Sequence, residues 1–194
     1  MKRNTLAVGA LIIVPTLAFA ATGLVNSGEP PTVATTAVSQ SALDDPTIVA
    51  IFDAANTADI ETGLLAAERG HSKEVRDFGA MLARDHKQVR QLGRDLAKKL
   101  GVTPTPPEDD KSAIDHAATM KRLRALDDAD FDHAFLQYEV TFHRNVIDAV
   151  NTTLLPAIRN AELKALVVKV APAFQAHMLA AEHLDRKLTT SGGK

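Results

Sequence analysis

Acidic and histidine side chains fall among the apolar positions of several predicted helices, where uncharged residues are expected. Three of them lie at the centres of apolar stripes: His86, Glu139 and His177. Two more, Glu61 and His143, lie at the edges of such stripes. Imidazole and carboxylate groups from facing helices are ligands for zinc, iron, manganese or copper. The five residues are therefore candidate ligands for one divalent transition-metal ion.

Two other interpretations of these residues stay open. A buried pair of histidine and glutamate is an acceptable structural arrangement that binds nothing, and the sequence supports this interpretation as well as the metal site. Acid–base catalysis by the same groups has less support, because no pattern in the sequence marks a substrate pocket. A non-enzymatic role is therefore favoured.

Four long amphipathic helices must position these side chains. Apolar residues recur in steps of three and four, which is the helical period. The first helix begins at Asp45-Pro46, with Asp45 as the N-cap, and ends near Gly70. The second helix runs from Ser72 to Gly101. The third begins near Asp128 and breaks around 156–160, and the fourth runs from Asn160 to Leu188. A short helix over 112–126 is expected between the second and the third.

The connection lengths predict the topology. Short turns join the first and second helices and the third and fourth, so each pair is antiparallel, while the long connection after Gly101 can cross the whole bundle. We therefore expect an all-α, ferritin-like four-helix bundle with one long connection in the middle of the chain. Either this topology or simple up-and-down connectivity places the five candidate ligands near mid-bundle.

The first residues predict export. Lys2 and Arg3 precede an apolar run from Leu6 to Phe19, and Ala18-Phe19-Ala20 fits a cleavage site. The expected organisation is a signal peptide at 1–20, a flexible spacer at 21–45, the helical domain at 46–188 and a disordered tail at 189–194. The mature protein is expected in the periplasm, at the cell surface or outside the cell, with no transmembrane span left after cleavage.

Composition excludes several functions. The 194 residues contain 45% hydrophobic and 4% aromatic residues, no cysteine and a formal net charge of −2. No basic surface for nucleic acid is expected from this charge. Without cysteine, the chain has no disulfide, no thiolate metal ligand and no cysteine nucleophile. The sequence leaves a protein partner or homo-oligomer open.

Five motifs in a fixed order resemble a known family. They are Glu61-Thr62-Gly63-Leu64-Leu65-Ala66, Ser72-x-x-Val75-Arg76-x-Phe78-x-x-Met81-x-x-x-Asp85-His86, Leu96-Ala97-Lys98-Lys99-Leu100-Gly101-Val102, Phe131-Asp132 with His143 downstream, and Pro172 with His177 downstream. Over residues 45–186 the chain resembles exported bacterial proteins with a ferritin-like four-helix domain of unknown function, often labelled membrane or outer-membrane proteins. The resemblance implies the bundle and an envelope location, but it implies no activity.

One departure from di-iron ferritin-like proteins bears on function. Those proteins supply Glu-x-x-His from two helices, whereas Ala83 and Phe174 occupy the positions three residues before His86 and His177. The favoured hypothesis is an envelope protein that acts in stress tolerance or surface interaction and holds one metal ion in its core. The alternative is a ferritin-like metalloenzyme with redox or oxygen chemistry.

Overall fold

The protein is all-helical over the residues that its computed structural model describes, 43–191, and these residues contain no strand. The helices are α1 (Asp45–Arg69), α2 (Lys73–Leu100), α3 (Ser112–Arg124), α4 (Asp128–Ala149), α5 (Leu155–Ala157) and α6 (Ala161–Ser191), with a π-helical segment, Val150–Leu154, between α4 and α5. The prediction of an all-α bundle is confirmed. The predicted signal peptide and nearly all of the predicted spacer lie outside the described residues.

The start of α1 differs from the prediction by one residue. The N-cap is Asp44, whose Oδ1 accepts the backbone N–H of Thr47 at 2.9 Å, so the prediction of Asp45 as the cap was wrong. The carboxylate of Asp45 instead accepts the backbone N–H groups of Arg159 and Asn160, both at 2.9 Å. Asp45 therefore ties the start of α1 to the turn before α6.

Other predicted helix ends are confirmed. The hydroxyl of Ser72 accepts the backbone N–H of Val75 at 3.2 Å and caps α2. Gly101 ends α2 in the left-handed region, at φ 66°, which glycine adopts without a steric penalty. The side-chain oxygen of Asn160 accepts two backbone N–H groups of the first turn of α6. At its other end α6 continues to Ser191, three residues beyond the predicted domain boundary.

Contacts at the helix ends define the directions of the four long helices. At the end of α1, the guanidinium of Arg69 donates to the carbonyls of Arg124 at 2.6 Å and Leu126 at 3.1 Å, just before α4 begins. Ion pairs join α2 and α6 at both ends, Lys99 with Glu162 and Glu74 with Lys187. Helix α1 is therefore antiparallel to α2 and α4, and α6 is antiparallel to α2 and α4.

The connection between α2 and α4 spans the length of α1. Near its beginning, the backbone N–H of Thr105 donates to the carbonyl of Pro46 at 3.2 Å. At its end, Asp127 pairs with Arg69 at 3.2 Å. Helix α3 lies within this connection and buries Met120 and Leu123 in the core. The long connection expected from the sequence therefore crosses the bundle.

A polar layer separates two apolar cores in the bundle. The first core includes Phe52 of α1 and Phe174 of α6, and the second includes Leu82 of α2 and Phe135 of α4. Between them, along each of the four long helices, lie the buried polar residues of mid-bundle, which are Asn56, Asp59, Thr62, His86, Glu139, His143 and His177. The fold thus brings polar groups from four helices to one depth.

The long helix α6 also bears on membrane association. By length and composition alone, Ala161–Thr190 could cross a bilayer, whereas the sequence predicts no transmembrane span after cleavage of the signal peptide. Core helices of soluble proteins often have the same length and composition. In this protein α6 packs against α2 and α4 and places His177 in the polar layer.

Close packing of α1 on α2 depends on two facing glycines. A Cβ added at Gly79 would lie 2.6 Å from the carbonyl oxygen of Gly63, closer than van der Waals contact allows. We expect Gly79→Ala to lower the free energy of unfolding by about 1–3 kcal/mol, as overpacking usually does. Gly93→Ala, on the same helix, is the comparison and should cost less, because its Cβ would lie 2.8 Å from a side chain, the ring of Phe52, and not from backbone. Urea melts showing equal stability for the two variants would contradict this account.

Candidate metal centre

His86 projects from the middle of α2 into the polar layer and is almost completely buried. Its Nδ1 lies 3.0 Å from Oδ1 of Asn56, whose amide nitrogen donates to the carbonyl of Phe52 at 2.7 Å. That bond turns the amide oxygen toward the ring, so Nδ1 of His86 carries the proton and Nε2 keeps its lone pair. Burial, together with the charges of His143 and His177, lowers the pKa of His86 to about 2.

His177 faces His86 from α6. Its Nδ1 lies 3.2 Å from Nε2 of His86, and its Nε2 lies 3.4 Å from Oδ2 of Asp85. Burial, followed by the charge of His143, lowers the pKa of His177, so the ring is neutral near pH 7 and carries one proton. A proton on Nδ1 of His177 would donate to Nε2 of His86, and a proton on Nε2 would donate to Asp85. In the Nε2–H form the Nδ1 lone pair faces the lone pair of His86, and a bound cation would stabilise that form.

His143 completes a group of three histidines from α4. Its Nδ1 donates to the backbone carbonyl of Glu139 at 3.0 Å, while its Nε2 is buried and has no hydrogen-bond partner within residues 43–191. One ring nitrogen from each of His86, His143 and His177 lies within 4.8 Å of the other two. Tetrahedral coordination with bonds of about 2.0–2.1 Å separates ligand nitrogens by roughly 3.3 Å. The three rings therefore need only small shifts to bind one ion.

Two buried carboxylates lie beside the histidines. Oε1 of Glu139 accepts the hydroxyl of Thr62 at 2.8 Å, and Oε2 of Glu139 lies 3.4 Å from Nδ1 of His143. Neither this Oε2 nor Oδ1 of Asp59 has a hydrogen-bond partner in the described part of the chain. Burial raises the pKa of Asp59 well above its ordinary value, the charge of His143 opposes this rise, and Glu139 adds to it. Asp59, Glu139 and His143 also form a group of possible ligands.

The two carboxylates set the charge of His143. Burial by itself lowers the pKa of this imidazole, because it disfavours the charged form. The charges of Asp59 and Glu139 and the hydrogen bonds to Glu139 outweigh burial and raise the pKa of His143 to about 9. In the metal-free protein at neutral pH, His143 is therefore a cation between two acidic groups.

The structure brings four of the five predicted residues together. His86, Glu139, His143 and His177 meet in the polar layer. Glu61 does not join them, because its side chain is 51% exposed and its Oε2 pairs with Nε2 of His116 at 2.7 Å. Glu61 points away from the layer because Asp59 and Thr62 occupy the buried face of α1 at this depth.

Four polar residues of this region are not predicted from the sequence: Asn56, Asp59, Thr62 and Asp85. Asn56, Asp59 and Gly63 follow Phe52 at helical spacing, and this series marks the buried face of α1. Thr62 lies on the same buried face, and its hydroxyl also bonds the backbone carbonyl of Ala58 within α1. The signal was weak because α1 is rich in alanine and threonine on all sides, so its faces differ little in hydrophobicity. Asp85 carries no periodic signal at all.

The fold and this cluster define a class of protein, an all-helical bundle with a possible metal site of histidine, aspartate and glutamate in its core. The family profile described as "Domain of unknown function (DUF4142)" matches residues 28–184, and the chain belongs to this family. No curated protein and no solved structure matches the chain. The description of the family assigns no activity.

Proposed function

We propose that this protein is an exported, ferritin-like four-helix bundle of the cell envelope that binds one divalent transition-metal ion in its core. The ligands are His86, His143 and His177. The observation that carries the proposal is the convergence of one ring nitrogen from each histidine within 4.8 Å of the other two, while Asn56, Asp85 and the carbonyl of Glu139 each lie against the opposite nitrogen of one ring. Such outer partners are typical of histidines that bind metal.

A buried ion pair without a metal explains less of the geometry. It accounts for His143, which the carboxylates of Asp59 and Glu139 surround. It does not account for the buried Nε2 of His143, which has no hydrogen-bond partner among the described residues, or for the two neutral rings of His86 and His177 beside it. A divalent cation satisfies these nitrogens, and the two acidic groups balance its charge.

The helix connections support the ferritin-like fold, and the first residues of the sequence support export. A single long connection and antiparallel neighbours favour the ferritin-like arrangement, because that fold has one crossover. The predicted signal peptide supports export to the periplasm, the cell surface or the medium. The favoured role is stress tolerance or surface interaction, with the ion as part of the core.

A ferritin-like metalloenzyme is the second candidate function. Asp59 favours it, since this aspartate supplies a buried carboxylate with an unpartnered oxygen beside the three imidazoles. Against it, Ala83 and Phe174 still occupy the two positions where Glu-x-x-His motifs would place glutamates. We therefore favour one bound ion without redox turnover.

Metal titration of the tag-free protein tests the proposal. We expect one equivalent of Zn²⁺ or Co²⁺ to bind and to raise the melting temperature. Removing an outer partner of a metal ligand typically weakens binding about 10–100-fold, so losing a ligand in His143→Gln should weaken it at least as much. His183→Gln, at an exposed position of α6, is the matched control. Equal affinity of the two variants, or no binding by the wild type, would exclude this site.

A further inference from the structure

A groove opens on the surface between α4 and α6, close to the histidine cluster. It has a volume of about 280 Å³. Ile147 and Leu155 line one wall, Val168 and Pro172 line the other, and Phe174 forms the floor. The volume lies at the small end of ligand pockets. A molecule that fills the groove is therefore small.

Both walls of the groove interrupt a helix. On one wall the π-helical segment Val150–Leu154 replaces regular α-helix, and such segments occur frequently at functional sites. On the other wall Pro172 lies inside α6, where proline has no N–H to offer the preceding turn. Two irregularities that face each other across one groove indicate that its shape is maintained at some cost to helix stability.

One aromatic ring separates the groove from the histidines. The ring of Phe174 stacks on His86 with centroids 5.7 Å apart and planes 9° apart, and it lies 6.3 Å from His143. Phe174 is only 5% exposed, so it closes the inner end of the groove. Ile147, in the groove wall, lies one helical turn after His143 on α4. The groove thus ends at the ring that covers the imidazole cluster.

The lining defines the chemistry of the occupant. None of the residues that line the groove carries a charge, and its polar side chains are the amides of Asn151 and Gln175. A charged ligand would lose hydration here without gaining a counter-charge. We propose that the groove binds a small neutral molecule with an apolar body and one hydrogen-bonding group. A second step rests on the proposed function: the molecule reaches the bound ion when the ring of Phe174 turns aside.

Benzyl alcohol is a suitable probe because it is neutral and apolar with one hydroxyl. In methyl NMR spectra of the metal-free full chain, we expect saturable shifts at Ile147, Leu155 and Val168. Ala171→Trp fills the groove and should abolish them, and Gln175→Glu, a mild surface change, should weaken binding at least tenfold. Leu179→Trp, on an exposed part of α6 outside the groove, should change nothing. Absent shifts, or shifts that survive Ala171→Trp, would overturn the binding site.

Pyridine and Co²⁺ test the route to the ion. In the Co²⁺-loaded full chain, pyridine should change the visible spectrum, and Ala171→Trp should slow this change at least tenfold while Leu179→Trp leaves the rate unaltered. An unaltered rate in Ala171→Trp would overturn the route. Failure of Co²⁺ to bind at all would instead overturn the proposed function and the route together, while the benzyl alcohol experiment would still decide the binding site.

Discussion

Replacing His143 with leucine is expected to lower the free energy of unfolding of the metal-free protein by about 3–5 kcal/mol. His143 is the cation beside the buried carboxylates of Asp59 and Glu139, and each acid has an oxygen without a hydrogen-bond partner among the described residues. Removing it leaves two acidic groups close together without a counter-charge. Denaturant melts at pH 7 in the presence of a chelator measure the effect.

The matched comparison replaces all three polar residues together. The variant Asp59→Leu, Glu139→Met and His143→Leu leaves no uncompensated charge at this site, so we expect it to be more stable than His143→Leu alone. His183→Leu, at an exposed position, should change stability little. If the triple variant instead loses the sum of its single effects, the three residues do not form one interacting group.

Acid should destabilise the wild type more than the His86→Gln variant. The folded protein keeps His86 neutral, because its pKa is lowered to about 2, whereas the unfolded chain binds a proton below the ordinary value of 6.5. The wild type should therefore lose about 1.4 kcal/mol per pH unit relative to the variant, or about 2–3 kcal/mol between pH 6.5 and 4.5. Melts of both metal-free proteins across this range measure the difference.

The other titrating groups of the cluster also bear on this difference. The pKa of His143 is raised to about 9, so below pH 6.5 it is protonated in both the folded and the unfolded chain. Its stabilising effect is lost only as the pH rises through about 9. Asp59, whose pKa is raised, and His177, whose pKa is lowered, titrate in both proteins, and because they lie 3.3 Å and 3.2 Å from the ring nitrogens of His86, the substitution also changes their contributions. Parallel curves for the two proteins would contradict the buried, neutral state of His86.

Most helix boundaries could be predicted from the sequence because local chemistry sets them. Ser72, Gly101 and Asn160 act through their own side chain or backbone, and each ends or begins a helix as predicted. Asp44 and Asp45 could not be separated, since both are good capping residues before Pro46. The choice depends on the turn before α6, which recruits Asp45 across 114 residues of sequence.

The candidate site was predictable only where a polar residue interrupted a clear apolar stripe. His86 stands out because α2 has a strongly apolar face opposite a charged one. Asp59 does not stand out on α1, and Glu61 was chosen two residues away because its exposure depends on how α1 packs against α4. The contacts of Asp85 with His177 and of Asn56 with His86 depend on side-chain geometry between helices. Such contacts have no signature along the chain.

Anomalous diffraction from crystals of the Zn²⁺-loaded protein, recorded at the zinc absorption edge, tests the central claim most directly. We predict one strong peak per chain, about 2.0–2.1 Å from one ring nitrogen of each of His86, His143 and His177. The expected atoms are Nε2 of His86, Nε2 of His143 and Nδ1 of His177. A core without a peak, or zinc bound only at surface histidines such as His71 or His133, would contradict the account.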